Sequence, residues 1–371
     1  MKITVKTDEF KKMVAKAIKG AGNNRLLPIT SMMLISKNES TDNRICLTTT
    51  DTMTWFNVFG EAYTGEPFYC VVPVDIFSKL VSKLTCDKVT LEVIDDVLKV
   101  TGNGTYKISL PVDEEGLVTY PEFSPAIDGD TGANKLKLST VKAVIAVNKA
   151  ALSTSTDDDC FCAYYLADKA ITSDENAICF SLMNICSQPM LISRNMFDLV
   201  ALSDNEDISF TTTADGAIKF YCGDLTVIGW QHSGIEEFPV EDMCTYLDKA
   251  FTSSCKVTKL SMQAVLDRLS LFIEPYDRNG AYFIFQNDGI LIKSKKSSLE
   301  ELVRYADSTN FTPFVCCVDV PLFKAQLESI PTDNVEISFG DENAIKLSSG
   351  NIVSVIALFE DEELSNNAIA N

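Results

Sequence analysis

The sequence predicts an α+β protein built from repeated βαβββ units, because one block of strand, helix and three short strands occurs three times. The first copy runs from Cys70 to Leu110, the second from Met190 to Trp230 and the third from Cys316 to Leu358. The copies share the order of their elements and little residue identity, which is typical of a repeated fold unit.

The three copies keep the same internal spacing when they are aligned on Phe77, Phe197 and Phe323. A turn then falls at one offset in each, and an apolar strand and a glycine-bearing turn follow it. The aligned phenylalanines are about 120 residues apart, which is the size of a whole domain. A chain of 371 residues also exceeds the size that one core usually supports. The aligned turns are Asp95-Asp96, Asp215-Gly216 and Asp341-Glu342.

Each domain is predicted to begin with a second, related unit. Met1 to Lys6 alternates as a strand, and Thr7 is a suitable N-cap for an amphipathic helix over 8–19. A similar strand and helix opening occurs at 136–139 and again at 257–261. Each domain should therefore consist of two βαβββ halves.

Polar, Pro- and Gly-rich passages begin at Tyr120-Pro121 and at Phe238-Pro239, and they mark the domain boundaries. The final residues are acidic and polar, which is typical of a frayed tail. The predicted domains are residues 1–125, 134–245 and 255–360, with a flexible acidic tail at 361–371.

The formal net charge of -20 argues against a general affinity for nucleic acid. The charge is uneven, however, because the first twenty residues carry six lysines and only two acidic residues. On the first helix Lys11, Lys12 and Lys16 lie off the apolar stripe. This basic face is either a solvated surface or a nucleic-acid contact.

The chain lacks the patterns of an enzyme. There is no GxxxxGKS/T, GxGxxG or GxSxG motif, and the single His232 lies in a Gly/Gln/Ser loop without a metal-ligand companion. The acidic run Asp157-Asp158-Asp159 is interpreted as a solvated turn. We therefore expect no catalytic activity, no cofactor and no metal.

Twelve cysteines occur without CxxC spacing, and several of them fall in strand-like runs. Without an export signal, buried reduced thiols are the expectation. The N-terminus reads as a strand, and no apolar run reaches the roughly 20 residues of a membrane span. A cytoplasmic protein with no membrane partner is predicted. The strand-like runs hold Cys160, Cys162, Cys179, Cys316 and Cys317.

Four segments of the first domain resemble the bacterial DNA polymerase III beta sliding clamp family: MKITVKTDEFKKMVAKAI, NNRLLPITSMMLI, LTTTDTMTWF and VVPVDIFSKLVSKL. The most specific matches are Leu27-Pro28-Ile29 and Thr50-Asp51, and the order of elements is similar over the whole chain. The resemblance implies three similar DNA-clamp domains that form a ring with helices inside and sheets outside.

The resemblance also implies a DNA sliding clamp, a processivity factor that encircles double-stranded DNA without reading its sequence and tethers the replicative DNA polymerase. Its partners would be duplex DNA, the polymerase, a clamp loader and a second copy in a head-to-tail homodimer. Basic residues on or next to the helices would face the DNA. They are Lys11, Lys12, Lys16, Arg25, Lys79, Lys83, Lys142, Lys149, Arg194, Arg268 and Lys324.

In this family, partner peptides dock in an apolar cleft that uses the final strand, here NIVSVIALF. The second domain departs from the family pattern, with SLMNICSQP where a ThrAspGly turn is expected, and the chain runs about ten residues past the usual end. This divergence suggests a phage-encoded clamp acting in the host cytoplasm. The cleft residues implied are Leu191, Ile192, Tyr246, Phe251, Val355, Ile356, Ala357 and Leu358.

Two other functions compete with the clamp. An acidic DNA-mimicking or scaffold protein built on the same domains would use the acidity itself as its working surface, without encircling DNA. A hydrolase that uses the acidic turns has no supporting constellation of residues. The face of Lys11, Lys12 and Lys16 separates the first two, because only a clamp needs it for processivity.

Overall fold

The computed structural model describes residues 1–38, 43–114, 116–124, 134–148, 163–174, 176–273, 279–296, 299–308, 312–341 and 343–360. The chain divides into two compact units. Unit 1 contains Met1–Val141 and Ser193–Gln231, and unit 2 contains Lys142–Ile192 and His232–Asn371.

Six copies of a βαβββ half account for nearly all the regular structure. The first two halves lie at the start of the chain and are followed by a short hairpin. The first half is β1 (Lys2–Lys6), α1 (Thr7–Ala17), β2 (Met32–Lys37), β3 (Arg44–Thr50) and β4 (Thr54–Gly65). The second half is β5 (Phe68–Pro73), α2 (Val74–Lys83), β6 (Lys88–Ile94), β7 (Val97–Thr101) and β8 (Thr105–Ser109). The hairpin is β9 (Val112–Asp113) and β10 (Gly116–Leu117).

The third and fourth halves follow the same order of elements. The third half is β11 (Asn134–Lys137), α3 (Leu138–Asn148), β12 (Ala163–Leu166), β13 (Ala170–Ser173) and β14 (Ala177–Ser181). The fourth half is β15 (Met190–Ser193), α4 (Arg194–Val200), β16 (Asp207–Thr212), β17 (Ala217–Tyr221) and β18 (Leu225–Trp230).

The last two halves are preceded by a separate helix, α5 (Val240–Asp248). The fifth half is β19 (Ser253–Thr258), α6 (Lys259–Leu269), β20 (Gly280–Gln286), β21 (Gly289–Ser294) and β22 (Glu300–Arg304). After the two-residue strand β23 (Asp307–Ser308), the sixth half is β24 (Phe314–Asp319), α7 (Val320–Ser329), β25 (Asn334–Phe339), β26 (Ala344–Ser349) and β27 (Ile352–Ala357). The predicted α+β fold of repeated βαβββ halves is confirmed.

The sheets are antiparallel. Unit 1 holds a twelve-stranded sheet with the order β11-β16-β17-β18-β4-β1-β6-β7-β8, from which β3, β2 and β5 branch at β4. Unit 2 holds a nine-stranded sheet, β15-β12-β13-β14-β27-β26-β25-β19-β23, and a four-stranded sheet, β22-β21-β20-β24.

The last strands of four halves pair with one another. In unit 1, β4 pairs with β18, and Phe56 stands opposite Val227. In unit 2, β14 pairs with β27, and Cys179 stands opposite Ser354. The last strands of the other two halves, β8 and β22, each have one neighbour among the described strands. Each of these two strands is therefore the edge of a sheet.

The apolar stripe of α1 is buried as the sequence predicts, and Phe10 packs edge-on against Phe77 of α2 at 6.1 Å. The predicted cap is wrong, because the helix begins at Thr7 and its N-cap is Lys6, without a side-chain hydrogen bond. The Thr7 side chain is buried and lies 3.6 Å from the sulfur of Cys86, so it cannot reach back to cap the helix. The α-helix ends at Ala17, and a 3-10 turn continues to Gly20.

Two later strand and helix boundaries also differ from the prediction. The strand expected at 136–139 ends at Lys137, and the one expected at 257–261 ends at Thr258. Helices begin at the next residue in both cases, at Leu138 and Lys259. In the first case the buried Leu138 of the first helical turn keeps the alternate spacing set by the buried Leu136, so the pattern alone places the boundary too late.

The ten cysteines that the structure describes form no disulfide, as predicted. Burial raises the pKa of the thiols of Cys70, Cys222 and Cys255 to about 12. Such thiols are poor nucleophiles at neutral pH. Cys160 and Cys162 lie outside the described residues, as do Asp157-Asp158-Asp159 and the predicted tail at 361–371.

Over the described ranges no helix has both the length and the apolar character needed to cross a membrane. The same residues include no group of three or more His, Cys, Asp or Glu side chains that could hold a metal ion. The imidazole of His232 is half-buried and accepts a hydrogen bond from the Gly234 amide at 3.3 Å.

Candidate DNA-facing helices and partner surface

The basic residues of α1 and α2 differ in how they are engaged. Lys12 and Lys83 are exposed and Lys11 is half-buried, and no described carboxylate lies within 4.0 Å of any of the three. Lys79 is exposed and bridges to Asp75 one turn earlier on α2, at 2.6 Å. The lysines without a bridge therefore offer the more available positive charge.

Lys16 is held by two aspartates of the same unit. Its Nζ lies 2.7 Å from Asp204 and 2.5 Å from Asp224. Burial lowers the pKa of Lys16, but the hydrogen bonds to the two carboxylates outweigh it, so that the pKa lies above its usual value. The Lys16 amine therefore links the first βαβββ half to the fourth, because Asp204 follows α4 and Asp224 precedes β18.

Two further predicted residues of unit 1 lie outside these two helices. Arg25 is exposed in the loop that follows the first 3-10 turn. Arg194 opens α4 and is half-buried, with its Nε 3.6 Å from Asp198 one turn later.

The predicted basic residues of unit 2 are more often paired. Arg268 of α6 binds Glu301 of β22 through Nε and a terminal nitrogen, at 2.7 and 2.5 Å. The hydrogen bond from Arg268 lowers the pKa of Glu301. Lys324 of α7 bridges to Asp267 of α6 at 2.6 Å. Exposed Lys142 has no carboxylate within 4.0 Å in the described part of the chain, and Lys149 lies outside that part.

The six helices of the βαβββ halves have a charge balance opposite to that of the chain. Together α1, α2, α3, α4, α6 and α7 carry ten basic and six acidic residues. The whole chain has a formal net charge of -20. Basic side chains are thus concentrated on these helices, although many have acidic neighbours.

Sequence reasoning missed one basic helical residue. Lys259 opens α6, and its Nζ donates to the carbonyls of Glu328 and Ile330 at the end of α7, at 2.9 and 2.5 Å. It was missed because the residue was assigned to the preceding strand. The macrodipole of α7 favours a cation at the C-terminal end of that helix, where the Lys259 amine lies.

The predicted partner surface lies in unit 2 and only part of it is accessible. Leu191 and Val355 are buried in one apolar cluster with α5, and Phe251 packs half-buried against the same cluster. Ile356 is buried in a different cluster, and Ile192 is also fully buried.

The remaining partner residues reach the surface. Tyr246 and Ala357 are exposed, and Leu358 is half-buried. Two lysines that the sequence did not single out lie over aromatic rings here: Lys346 is 4.9 Å from the Phe251 ring centre, and Lys249 is 5.8 Å from that of Tyr246. Neighbouring strands and α5 bring these residues together, so spacing along the chain gave no signal for them.

Comparison with known proteins supports the clamp resemblance. Residues 1–119 match the family described as DNA polymerase III beta subunit, N-terminal domain. A search of curated protein sequences found no match.

Solved structures match almost the whole chain. The DNA polymerase III beta subunit of Thermotoga maritima is 17% identical, with a TM-score of 0.81 over 97% of this chain and 99% of that one. The beta chain of Streptococcus pneumoniae is 13% identical, with a TM-score of 0.85 over 97% of this chain and all of that one. The sliding clamp of Bacillus subtilis is 16% identical, with a TM-score of 0.84 over 97% and 99%.

The agreement in fold extends over all six βαβββ halves, because 97% of the chain is covered in each of these comparisons. Residues 1–119 therefore match the DNA polymerase III beta subunit family, N-terminal domain, and the chain as a whole has the fold of a bacterial beta sliding clamp.

Proposed function

We propose that this protein is a DNA sliding clamp, a processivity factor that closes into a head-to-tail homodimeric ring around duplex DNA and tethers a replicative polymerase. The observation that carries the proposal is the pairing of the last strands of the six halves. Two pairs, β4 with β18 and β14 with β27, form within the chain. The two strands left at sheet edges, β8 and β22, would pair between copies in the same antiparallel way.

The two edges carry exposed apolar side chains that suit such a contact. Tyr106 on β8 is 37% exposed and Leu302 on β22 is 36% exposed. Leu271 and Phe272 directly follow α6, which packs beside β22, and are 79% and 44% exposed. Exposed apolar groups around an unpaired edge strand favour association. Because the two edges belong to different halves, the contact is heterologous and the ring is head-to-tail.

Positive charge on the helices supports DNA binding inside the ring. Lysines that face the phosphates bind DNA in a way that is salt-sensitive and independent of its sequence. The acidic remainder of the chain repels DNA from other surfaces. Lys11, Lys12 and Lys83 are the best placed of the predicted residues, because they are not paired with described carboxylates. Lys16 instead serves mainly to hold unit 1 together.

The six halves support three domains at residues 1–125, 134–245 and 255–360, which would give six domains in the dimer. Polymerase and clamp-loader peptides would dock on the accessible part of the partner surface, at Tyr246, Phe251, Ala357 and Leu358. The low identity to the solved clamps supports a divergent, phage-encoded protein that works in the host cytoplasm.

Sedimentation tests the ring. The protein should sediment as a dimer of about twice 40.8 kDa, and the double substitution Leu271→Asp with Phe272→Asp should give monomers. Leu260→Asp is the matched control, since Leu260 is equally exposed at the other end of α6. A wild-type monomer at micromolar concentration would contradict the ring.

Retention on DNA tests encirclement. Protein loaded by its clamp loader should remain on a nicked circular duplex and be lost when the circle is cut, because only a topological link is released by a free end. Lys11→Glu with Lys12→Glu should reduce primer extension by the cognate polymerase on a circular template. Processivity that is unaffected by this double substitution would favour the acidic DNA-mimicking alternative.

A further inference from the structure

On the helix-facing side of the β14·β27 strand pair in unit 2, polar groups occupy the centre, next to Ala177, Ile352 and Ile356, which are buried in the apolar core with α7. Cys179 of β14 and Ser354 of β27 stand opposite each other, and both are fully buried. Ser181 is buried two residues along from Cys179. Three buried polar residues of neighbouring elements complete what we call the polar file. Its members are Asn148, Thr172, Cys179, Ser181, Gln326 and Ser354.

Hydrogen bonds connect the polar file to α3 and α7. The Cys179 thiol donates to Gln326 Oε1 at 2.7 Å and lies 3.5 Å from the Ser354 hydroxyl. Asn148 Nδ2 donates to Ser181 Oγ at 3.4 Å, and Thr172 Oγ1 donates to the Asn148 carbonyl at 3.3 Å. Several of these bonds are long.

The polar file is also incompletely satisfied. Asn148 Oδ1 and Gln326 Nε2 have no hydrogen-bond partner among the described residues, although both atoms are buried. A buried polar atom without a partner destabilises the closed state relative to an open state in which water reaches it.

The equivalent strand pair of unit 1 has apolar residues at the centre of its helix-facing side, and the buried Thr54 lies at one end, opposite Gly229. Phe56 stands opposite Val227 and Val58 opposite Leu225, and all four are buried. The adjacent Gly229 lies against Met196 of α4. Opening this pair would expose apolar surface to water, which is unfavourable.

The other face of β14·β27 is apolar and covered. Phe180 pairs with Val353 and Ile178 with Val355, and these residues pack in one cluster with Met243 of α5.

From this asymmetry we infer that the β14·β27 pair is a built-in joint of the chain. It opens locally from the helix-facing side, where the polar file takes up water, while the α5 cluster holds the other face. The joint depends on neither DNA nor a second copy, so it goes beyond the proposed clamp function and can be tested without it.

Hydrogen exchange can test this joint by comparing the exchange rates of amides within the single strand β27. Successive amides of an antiparallel strand bond to opposite neighbours. The Ala357 amide bonds to Asn176 beside β14, and the Leu358 amide to Asn343 beside β26. By the same alternation, the amides of Val353 and Val355 report on β14·β27, whereas those of Ser354 and Ile356 report on β26·β27.

Residue-resolved exchange of the full chain should show the Val353 and Val355 amides exchanging about tenfold faster than those of Ser354 and Ile356. In β18, the amides of Thr226 and Ile228, which bond to β4, should exchange at rates similar to those of Val227 and Gly229. Equal rates for the two sets in β27 would overturn the inference.

Two substitutions test the cause. Gln326→Met keeps the length of the side chain and removes the unpartnered nitrogen, so it should reduce the difference within β27. Val227→Thr places a buried hydroxyl in the apolar pair of unit 1 and should create a difference within β18. If Gln326→Met leaves the β27 difference unchanged and Val227→Thr creates none, the polar file is not the cause and the inference fails.

Discussion

The strand pairs β4·β18 and β14·β27 join halves of the chain in the same antiparallel manner, yet the centres of their helix-facing sides differ in polarity. In unit 1 the centre of the helix-facing side is apolar, and the opposite side carries Asn57 hydrogen-bonded to Thr226 at 3.0 Å. In unit 2 the centre of the helix-facing side holds Cys179 and Ser354 between buried apolar residues, and the opposite side is apolar. The same pairing of strands is therefore compatible with different polarity at its centre.

The difference shows that backbone pairing and side-chain layering are separate determinants of stability. Both strand pairs satisfy their backbone groups, so the ladder itself does not distinguish them. Buried apolar area contributes about 25 cal/mol per Å². A neutral hydrogen bond contributes only about 1 kcal/mol net. The strand pair with apolar groups next to its helices should be the more resistant to local opening.

The largest expected effect is from Phe56→Ala. It removes a fully buried ring from the helix-facing side of β4·β18 and should lower the free energy of unfolding of unit 1 by about 3–5 kcal/mol. Both tryptophans of the chain, Trp55 and Trp230, lie in unit 1, so their fluorescence in urea reports on it alone.

Ser354→Ala is the matched change on the helix-facing side of β14·β27. It should cost less than about 1 kcal/mol in urea unfolding followed by circular dichroism, because it removes only a weak contact with the Cys179 sulfur. Similar costs for the two substitutions would show that the two faces do not differ in the way described.

An effect smaller than that of Phe56→Ala is expected from exchanging polarity on the faces opposite the helices. Val355→Thr buries a hydroxyl in the apolar cluster of unit 2 and should cost about 1–3 kcal/mol. Thr226→Val in unit 1 loses one half-buried hydrogen bond with Asn57 and should cost about 1 kcal/mol. Urea midpoints of the two variants check the order, and a larger loss for Thr226→Val would reverse the comparison.

A small effect is also expected for the ion pairs of unit 1. Lys16→Met leaves Asp204 and Asp224 without their shared cation and should lower the stability of unit 1 by about 1 kcal/mol. Lys12→Met, at an exposed position on the same helix, should stay within about 0.5 kcal/mol of the wild type. Tryptophan fluorescence in urea compares them, and equal stabilities would remove Lys16 as a link within unit 1.

Much of the fold could be predicted from the sequence because it depends on local signals. Turns such as Asp95-Asp96 and Asp215-Gly216 separate strands of alternating polarity, and these turns were placed correctly. The first residue of α1 was not, because Thr7 looks like a cap in sequence and is instead packed inward. Cap geometry depends on where the preceding strand directs the side chain, which sequence spacing does not reveal.

The candidate site was less predictable, since it depends on contacts between distant residues. Nothing near Lys16 in the sequence signals its pairing with Asp204, which lies 188 residues further along the chain. The same holds for Arg268 and Glu301. Serine, cysteine and glutamine are also compatible with either face of a sheet or helix. The polar file was therefore not visible before β13, β14, β27 and the two helices were seen together.

The edges β8 and β22 have a consequence for how the protein must be handled. A contact between two different edges has no inherent limit on the number of copies it can join, so whether it gives a closed dimer or an open filament depends only on the rotation between neighbours. In the proposed ring, a small change in the angle at which Leu271 and Phe272 meet the next copy would turn the closed assembly into a fibre. Light scattering at rising protein concentration is therefore a sensitive readout of ring geometry.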